Sequence, residues 1–277
     1  MTKILLEIFD KEGVVKAGKN DYEGITRLMT AVGEDFVDLA TQDLAFEEGD
    51  QIRVTVDEAN CYLAAKLDET LDTTLIFLPE KVWTYTISMT ANAIDARPDK
   101  RFMSKRHYLS VRTATAEEVS TYRNWALNPH DQKEFNGAYP HAYANVETRN
   151  DATFFACNAI DGIFANFSHG EYPYQSWGIN RQADAALTID FGRPVTLDKV
   201  GFTLRNDFPH DSYWTQVSLS FSDGSKEVFH TEKKSQPQYF SFAKRTVTSV
   251  TFSELIQAED ESPFPALTEI ELFGHNS

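Results

Sequence analysis

A chain of 277 residues is longer than one typical domain and can bury two sizeable cores. With 42% hydrophobic and 25% charged residues it has the composition of a folded, water-compatible protein. Its formal net charge of −16 repels phosphate backbones and anionic lipid, which argues against nucleic-acid partners and membrane surfaces; it is compatible with neutral ligands such as sugars or with cations, and equally with a role in solubility alone.

The N-terminal ten residues carry a short apolar run interrupted by Glu7, too short for a secretory leader. No apolar stretch approaches the length of a bilayer span, so membrane insertion is not expected. Cys61 and Cys157 lie in no metal-type spacing, and both are expected as reduced, unpaired thiols. On these grounds the chain as given reads as cytoplasmic. The 20 Phe and 11 Tyr suit broad packed β faces.

Lys3–Phe9, Asp35–Leu39, Gln51–Val56, Tyr62–Leu67, Thr74–Leu78, Trp83–Ile87 and His107–Arg112 form a series of strand-like runs. They recur roughly every ten residues between turn signals, the spacing of an antiparallel sandwich and not of βα units. In Gln51–Val56 the residues Ile52, Val54 and Val56 alternate with polar ones, so one face is wet. Thr115-Ala-Glu-Glu118 fits a capping box, and Val119, Tyr122 and Ala126 follow on one face. The spacing predicts a helix over 115–127, stopped by Pro129. Asn128 to Asn145 is polar and aromatic without periodicity and reads as a linker; it holds His130, Asp131 and His141, with Glu147 and Arg149 just beyond.

Further along, Leu187–Phe191, Lys199–Arg205, Thr215–Phe221, Lys226–Phe229, Gln238–Phe242, Thr246–Phe252 and Leu267–Phe273 read as strands. Ser222-Asp-Gly224 supplies a hairpin turn. The expected fold class is all-β: two antiparallel β-sandwich, jelly-roll-like domains at 1–113 and 145–277, joined by a short helix and linker over 114–144.

Asn158-Ala-Ile-Asp161-Gly162, Ser176-Trp177-Gly178, Leu187–Gly192, Val195–Val200, Phe221-Ser-Asp223-Gly224 and Ala266–Gly274 occur in an order that resembles the galactose-binding-like domains. These are the discoidin or coagulation-factor C-type domains, and they include many carbohydrate-binding modules. The resemblance covers roughly 145–277; residues 1–113 carry no recognised motif. It implies a carbohydrate ligand and a structural calcium ion. Calcium takes about six to eight oxygen ligands on a loop. Carried over by position, these are the carboxylates of Asp161 and Glu269, the carbonyls of Ala159 and Ile163, and Asn166, where the family often has Thr. The same residues also fit a bare Asp161-Gly162 turn and a solvated Glu269.

The densest polar–aromatic run, Arg205 to Trp214, falls between two expected strands and so on a loop at one sandwich end. A sugar site needs aromatic faces for C–H patches and planar donors and acceptors for hydroxyls. Arg205, Asn206, Asp207, His210 and Trp214 supply those groups, and His169, Tyr172 and Trp177 follow the Asp-Gly turn toward the same end. The alternative is structural: an internal Arg205–Asp207 ion pair, a core Trp214 and a packing role for Trp177. The function expected is non-catalytic carbohydrate binding. The second reading is a glycoside hydrolase or lyase using Asp207 with Asp211 or His210, or the domain interface; the third is a protein-binding module.

Overall fold

The computed structural model describes residues 1–22 and 24–277. The chain divides into two units: Met1–Val119 with Phe135–Ala138, and Ser120–Glu134 with Tyr139–Ser277.

Unit 1 contains β1 (Lys3–Phe9), β2 (Ala17–Gly18), β3 (Arg27–Leu28), β4 (Thr30–Glu34), β5 (Phe36–Ala40), β6 (Gln51–Val56), β7 (Cys61–Lys66), β8 (Thr74–Leu78), β9 (Val82–Thr86), a helical turn α1 (Ala91–Asp95) and β10 (Tyr108–Thr113). Two four-stranded antiparallel sheets run in the orders β4-β1-β6-β9 and β5-β10-β7-β8. The alternation read from the sequence sets the register. Ile4, Leu6 and Ile8 stand opposite Val56, Val54 and Ile52, and Val54 opposite Trp83. In the second sheet Leu109 and Val111 face Leu39 and Val37. These side chains are buried in one core, as a period of two with one wet face requires. Strand β4 and helix α1 were not legible. Thr30-Ala-Val-Gly-Glu34 has little apolar alternation, and α1 is a single turn capped by Thr90, whose hydroxyl accepts from Ala93 N.

The helix expected over 115–127 is a single turn, α2 (Ala116–Ser120). Its capping box forms as read: Glu118 N donates to Thr115 Oγ1 (3.2 Å) and Thr115 N to Glu118 Oε2 (2.8 Å). The turn stops because the next residues enter a sheet. β11 (Arg123–Asn124) pairs with Gly274 and Phe273, Asn124 Oδ1 accepts from Leu272 N (2.9 Å), and Trp125 Nε1 donates to Gly274 O (3.0 Å). From the expected linker, β12 (His141–Ala144) is also a strand.

Unit 2 continues with β13 (Trp177–Gly178), β14 (Leu187–Leu204), β15 (Trp214–Phe221), β16 (Lys226–His230), β17 (Gln238–Gln257) and β18 (Ala266–Asn276). The hydrogen-bonded order is β11-β18-β14-β17-β15-β16, all antiparallel, with β12 on β14 and β13 on β18. The pairs of runs read as separate strands at 187–205 and 238–252 are each one long strand with register shifts, as between Asp190 and Val195. The long strands fold over. Leu187 pairs with Phe252, and Phe202 pairs with Gln238 at the far end of the same ladder. Fifteen residues of extended strand span roughly 50 Å. Yet the Phe202 and Phe252 rings lie 5.5 Å apart, so the sheet doubles back into two layers with Trp177, Trp214, Phe202 and Phe252 between them. Among the described residues no helix is long and apolar enough to cross a membrane.

Candidate functional site

At one end of unit 2, three neighbouring strands define a floor. Gly178 of β13 pairs with Ala266 of β18, Leu204 of β14 pairs with Leu267, and Arg205 N continues to Ala266 O (3.1 Å). The loops leaving these strands enclose a cavity of about 210 Å³. Its apolar floor is Phe154, Ile179, Pro265 and Ala266; its polar wall is Thr148, Arg149, His169, Asn180, Arg181, Arg205 and His210, with Phe264 at the rim, 46% exposed.

Gly178 keeps this space open. A Cβ there would lie 2.7 Å from Thr148 Oγ1 and 3.1 Å from the Phe154 ring, so any larger residue would push the wall and the floor apart. In the two turns beside Gly178, Arg149, Asn150, Asn180 and Arg181 all have left-handed backbones, with φ of 55°, 52°, 48° and 62°. For a non-glycine residue this costs on the order of 1 kcal/mol, and such strain concentrates at binding sites. Asn180 N donates to Thr148 Oγ1 (2.9 Å), which ties the two strained turns together.

The base of the site is an ion pair. Arg205 Nε and Nη2 both bind the Asp207 carboxylate, the latter at 3.0 Å, and Arg205 Nη1 reaches Phe264 O at 3.3 Å. His169 Nδ1 is hydrogen-bonded to Asp207 Oδ2, the oxygen that also accepts from Arg205 Nη2, and its ring stands edge-on to His210 at 5.4 Å. Burial alone would raise the Asp207 carboxyl, but the hydrogen bonds and charges of Arg205 and His169 outweigh it and hold the group below the usual carboxylate range. The structure thus brings Arg205, His169 and His210 to one cavity, with Asp207 behind them. Asn206 is half-buried and donates its backbone N–H to Asn166 O (2.9 Å). Tyr172 is 38% exposed and lies outside the lining. Trp214 and Trp177 are core residues, 1% and 0% exposed, both against Phe252.

Sequence reading missed Arg181, Phe264 and Thr148 and noted Arg149 only in passing. The available signals were Pro263-Phe264-Pro265, an aromatic clamped between prolines just before a strand, and the paired Arg149-Asn150 and Asn180-Arg181 turns. The other polar residues of the former linker brace the fold. His141 Nδ1 meets Asp131 Oδ1 at 2.8 Å, and Glu147 pairs with Lys133 at 3.2 Å.

The residues implied for calcium divide. Gly162, at φ 84°, makes the turn that Asp161 opens, and a Cβ there would lie 2.9 Å from Leu127 Cδ1. Gly162 N donates to both oxygens of Glu269 (3.2 Å each), and Ile163 N to Asp161 Oδ1 (2.8 Å), so the two carboxylates meet over consecutive amides. Glu269 is 1% exposed. Burial first, and the Asp161 charge second, push its carboxyl well above the ordinary range. Gln175 Nε2 donates to Asp161 Oδ2 (2.8 Å) while its buried Oε1 has no hydrogen-bond partner. Two facing carboxylates and an unpartnered amide oxygen are a donor set that fits a hard cation. Asn166 does not face them with its amide nitrogen, which donates to Leu204 O and Ser235 O (2.8 and 2.9 Å). The carbonyls of Ala159 and Ile163 flank the turn. In unit 1, Asp68, Glu69 and His107 also offer ligand atoms within 4.8 Å of one another, but the carboxylates there accept from Thr70 N, Phe102 N and Tyr108 N and so brace the backbone.

No family model matches the chain, and no curated protein matches it. Solved structures similar to it include the family 32 carbohydrate-binding module of C. perfringens NanJ in complex with galactose, at 13% identity and a TM-score of 0.40, covering 55% of this chain and 99% of that one. Others are chitosan-binding module 1 of a Paenibacillus sp. IK-5 chitosanase/glucanase (18%, 0.37; 55% and 98% covered) and a Streptococcus pneumoniae fucose-binding module (15%, 0.37; 55% and 98% covered).

Proposed function

We propose that this chain binds a saccharide, without cleaving it, in the cavity at the end of unit 2, and that a structural calcium ion held by Asp161 and Glu269 braces the neighbouring turn. The observation that carries the reading is convergence. An exposed aromatic, Phe264, stands beside Arg205, His169 and His210 on a cavity of about 210 Å³ whose wall is fixed by ion pairs and strained turns. That volume is below the ~300–1,000 Å³ of drug-sized pockets and suits one ring of a longer chain. Aromatic faces take the C–H side of a sugar ring while guanidinium and imidazole groups take its oxygens.

Binding is favoured over hydrolysis by the carboxylates. Glycoside cleavage uses two carboxyl groups about 5–10 Å apart across the scissile bond. Asp207 is clasped by Arg205 and His169, and Asp211 is paired with Lys233 at 3.1 Å. Both carboxylates are thus committed to cationic partners within the fold, which supports binding over cleavage. Glu269 and Asp161, with Gln175 Oε1, would hold the calcium ion, which would neutralise two carboxylates that otherwise repel. Its part is to fix the 161–163 turn; the sugar contacts belong to the cavity residues.

A glycan array probed with the full chain tests the reading. Wild type should bind a defined saccharide set, and Phe264→Ala should lose at least tenfold in affinity while changing stability by less than about 1 kcal/mol, since the ring is half exposed. Undiminished binding by Phe264→Ala would move the site elsewhere.

A further inference from the structure

We infer that the sugar taken by this cavity is acidic, carrying a carboxylate, as on a uronic acid, or a sulfate ester. The inference rests on the saccharide-binding reading and adds the charge of the ligand to it.

The distribution of charge carries the argument. The chain has a formal net charge of −16, yet the cavity is lined by Arg149, Arg181 and Arg205 and by no Asp or Glu. Arg205 is neutralised by Asp207 at the base. Arg149 Nη2 lies 3.2 Å from Asp151 Oδ2, but its side chain is 68% exposed, and a pair in solvent is weak. Arg181 has no carboxylate partner among the described residues; its guanidinium sits 5.8 Å from the centre of the Phe264 ring. One cation at the cavity is therefore uncompensated and a second is only loosely held, in a chain with a large surplus of acidic groups.

The hydrogen-bonding inventory points the same way. Hydroxyls of a neutral sugar donate as well as accept, so a site for them needs acceptors. Here Asp207 is bound through both oxygens, to Arg205 and His169, and Asp151 Oδ1 accepts from Thr153 N and Oγ1. The three guanidinium groups of the lining carry donors only, in the planar fork that matches the oxygens of a carboxylate or sulfate. Both rim arginines also have left-handed backbones in turns joined through Thr148, so their positions are set by the chain path as well as by the side chains.

Matched oligosaccharides that differ only in charge test this: galacturonan against galactan, glucuronan against glucan, mannuronan against mannan, with sulfated galactan as a further arm. Titration calorimetry of the full chain should show at least one acidic member binding tenfold or more tighter than its neutral counterpart. The difference should shrink as sodium chloride is raised, because salt screens exposed charges. The uronate and sulfate arms identify which acidic group is taken. The double variant Arg149→Asn, Arg181→Asn should lose the preference while keeping its melting temperature; asparagine tolerates the left-handed backbone and removes only the charge. Should the double variant melt early, Arg181→Asn alone, at an exposed side chain, gives the same reading. Equal binding of acidic and neutral members, or a preference that survives these variants, overturns the inference and leaves saccharide binding standing. Binding of no member of any pair overturns both.

Discussion

Arg205 and Asp207 sit two residues apart where β14 ends, and their ion pair both anchors the cavity wall and fixes Phe264 through its carbonyl. The pair was legible in the sequence as an alternative to free ligand groups, and the structure makes it structural and site-forming at once. Both side chains are 6% exposed, so removing one charge strands the other in a poorly solvated place. Asp207→Asn should therefore destabilise the protein by on the order of 3 kcal/mol, far more than a purely surface ligand would. The pH dependence has a definite sign. The carboxyl is depressed in the folded state, so its contribution is full above the unfolded value of about 3.9 and disappears as pH falls through the lower folded value. Urea melts of wild type and Asp207→Asn should differ at neutral pH and converge in acid; a gap that stays constant down to about pH 2 would contradict the assignment. Trp214 takes the core alternative, and not the pocket role, for a physical reason. Val217, Leu219 and Phe221 alternate inward on odd positions, and the register shift between Trp214 and Gln216, where β15 carries the extra residue, brings an even position into the same core. A bulge of this kind leaves no mark in the alternation.

Elements were legible where one face is wet. β1, β6 and β10 follow from period-two alternation, and the hairpin β15–β16 from its Asp-Gly turn. The helix length was not legible, because the apolar spacing at Val119, Tyr122 and Ala126 is met equally well by a helix face and by a chain about to join a sheet through Asn124 and Trp125. The capping box survives this: Arg112 forms a bidentate pair with Glu118, and that hydrogen bond, first among its causes, pulls the Glu118 carboxyl down to about 2. Thr115→Ala should cost about 1 kcal/mol, the usual loss of a cap, measured by chemical denaturation. No change would mean that α2 is held by its other contacts. The cavity depends on an element with no side chain. Gly178→Ala places a methyl against Thr148 Oγ1 and Phe154, so saccharide affinity should drop with only a modest loss of stability. Retained affinity would show that the wall can shift outward.

At the scale of the whole molecule, net charge does not describe the site. A chain at −16 concentrates arginine at one cavity, and a sum over residues cannot register such a local arrangement. The two cysteines, Cys61 and Cys157, are unpaired, and burial first raises both thiols, Cys61 to about 11, so neither reacts readily near neutral pH. Calcium should act on the molecule as a whole. An ion present at a hundred times its Kd and binding only the folded state contributes about 2.7 kcal/mol, which for a unit of this size is roughly 5–10 °C in melting temperature. Calorimetry in calcium and in chelator should show that shift for wild type and none for Asp161→Asn; identical melting curves for wild type under both conditions would end the calcium proposal.

A sugar bound at this cavity perturbs the backbone around it. Amide chemical-shift mapping of the isotopically labelled full chain, titrated with the tightest-binding oligosaccharide from the array, tests that most directly. The perturbed amides should cluster at 148–150, 178–181, 205–210 and 264–266, around the cavity that Gly178 keeps open. Perturbations confined to unit 1, or spread over unit 2 away from those loops, would contradict it.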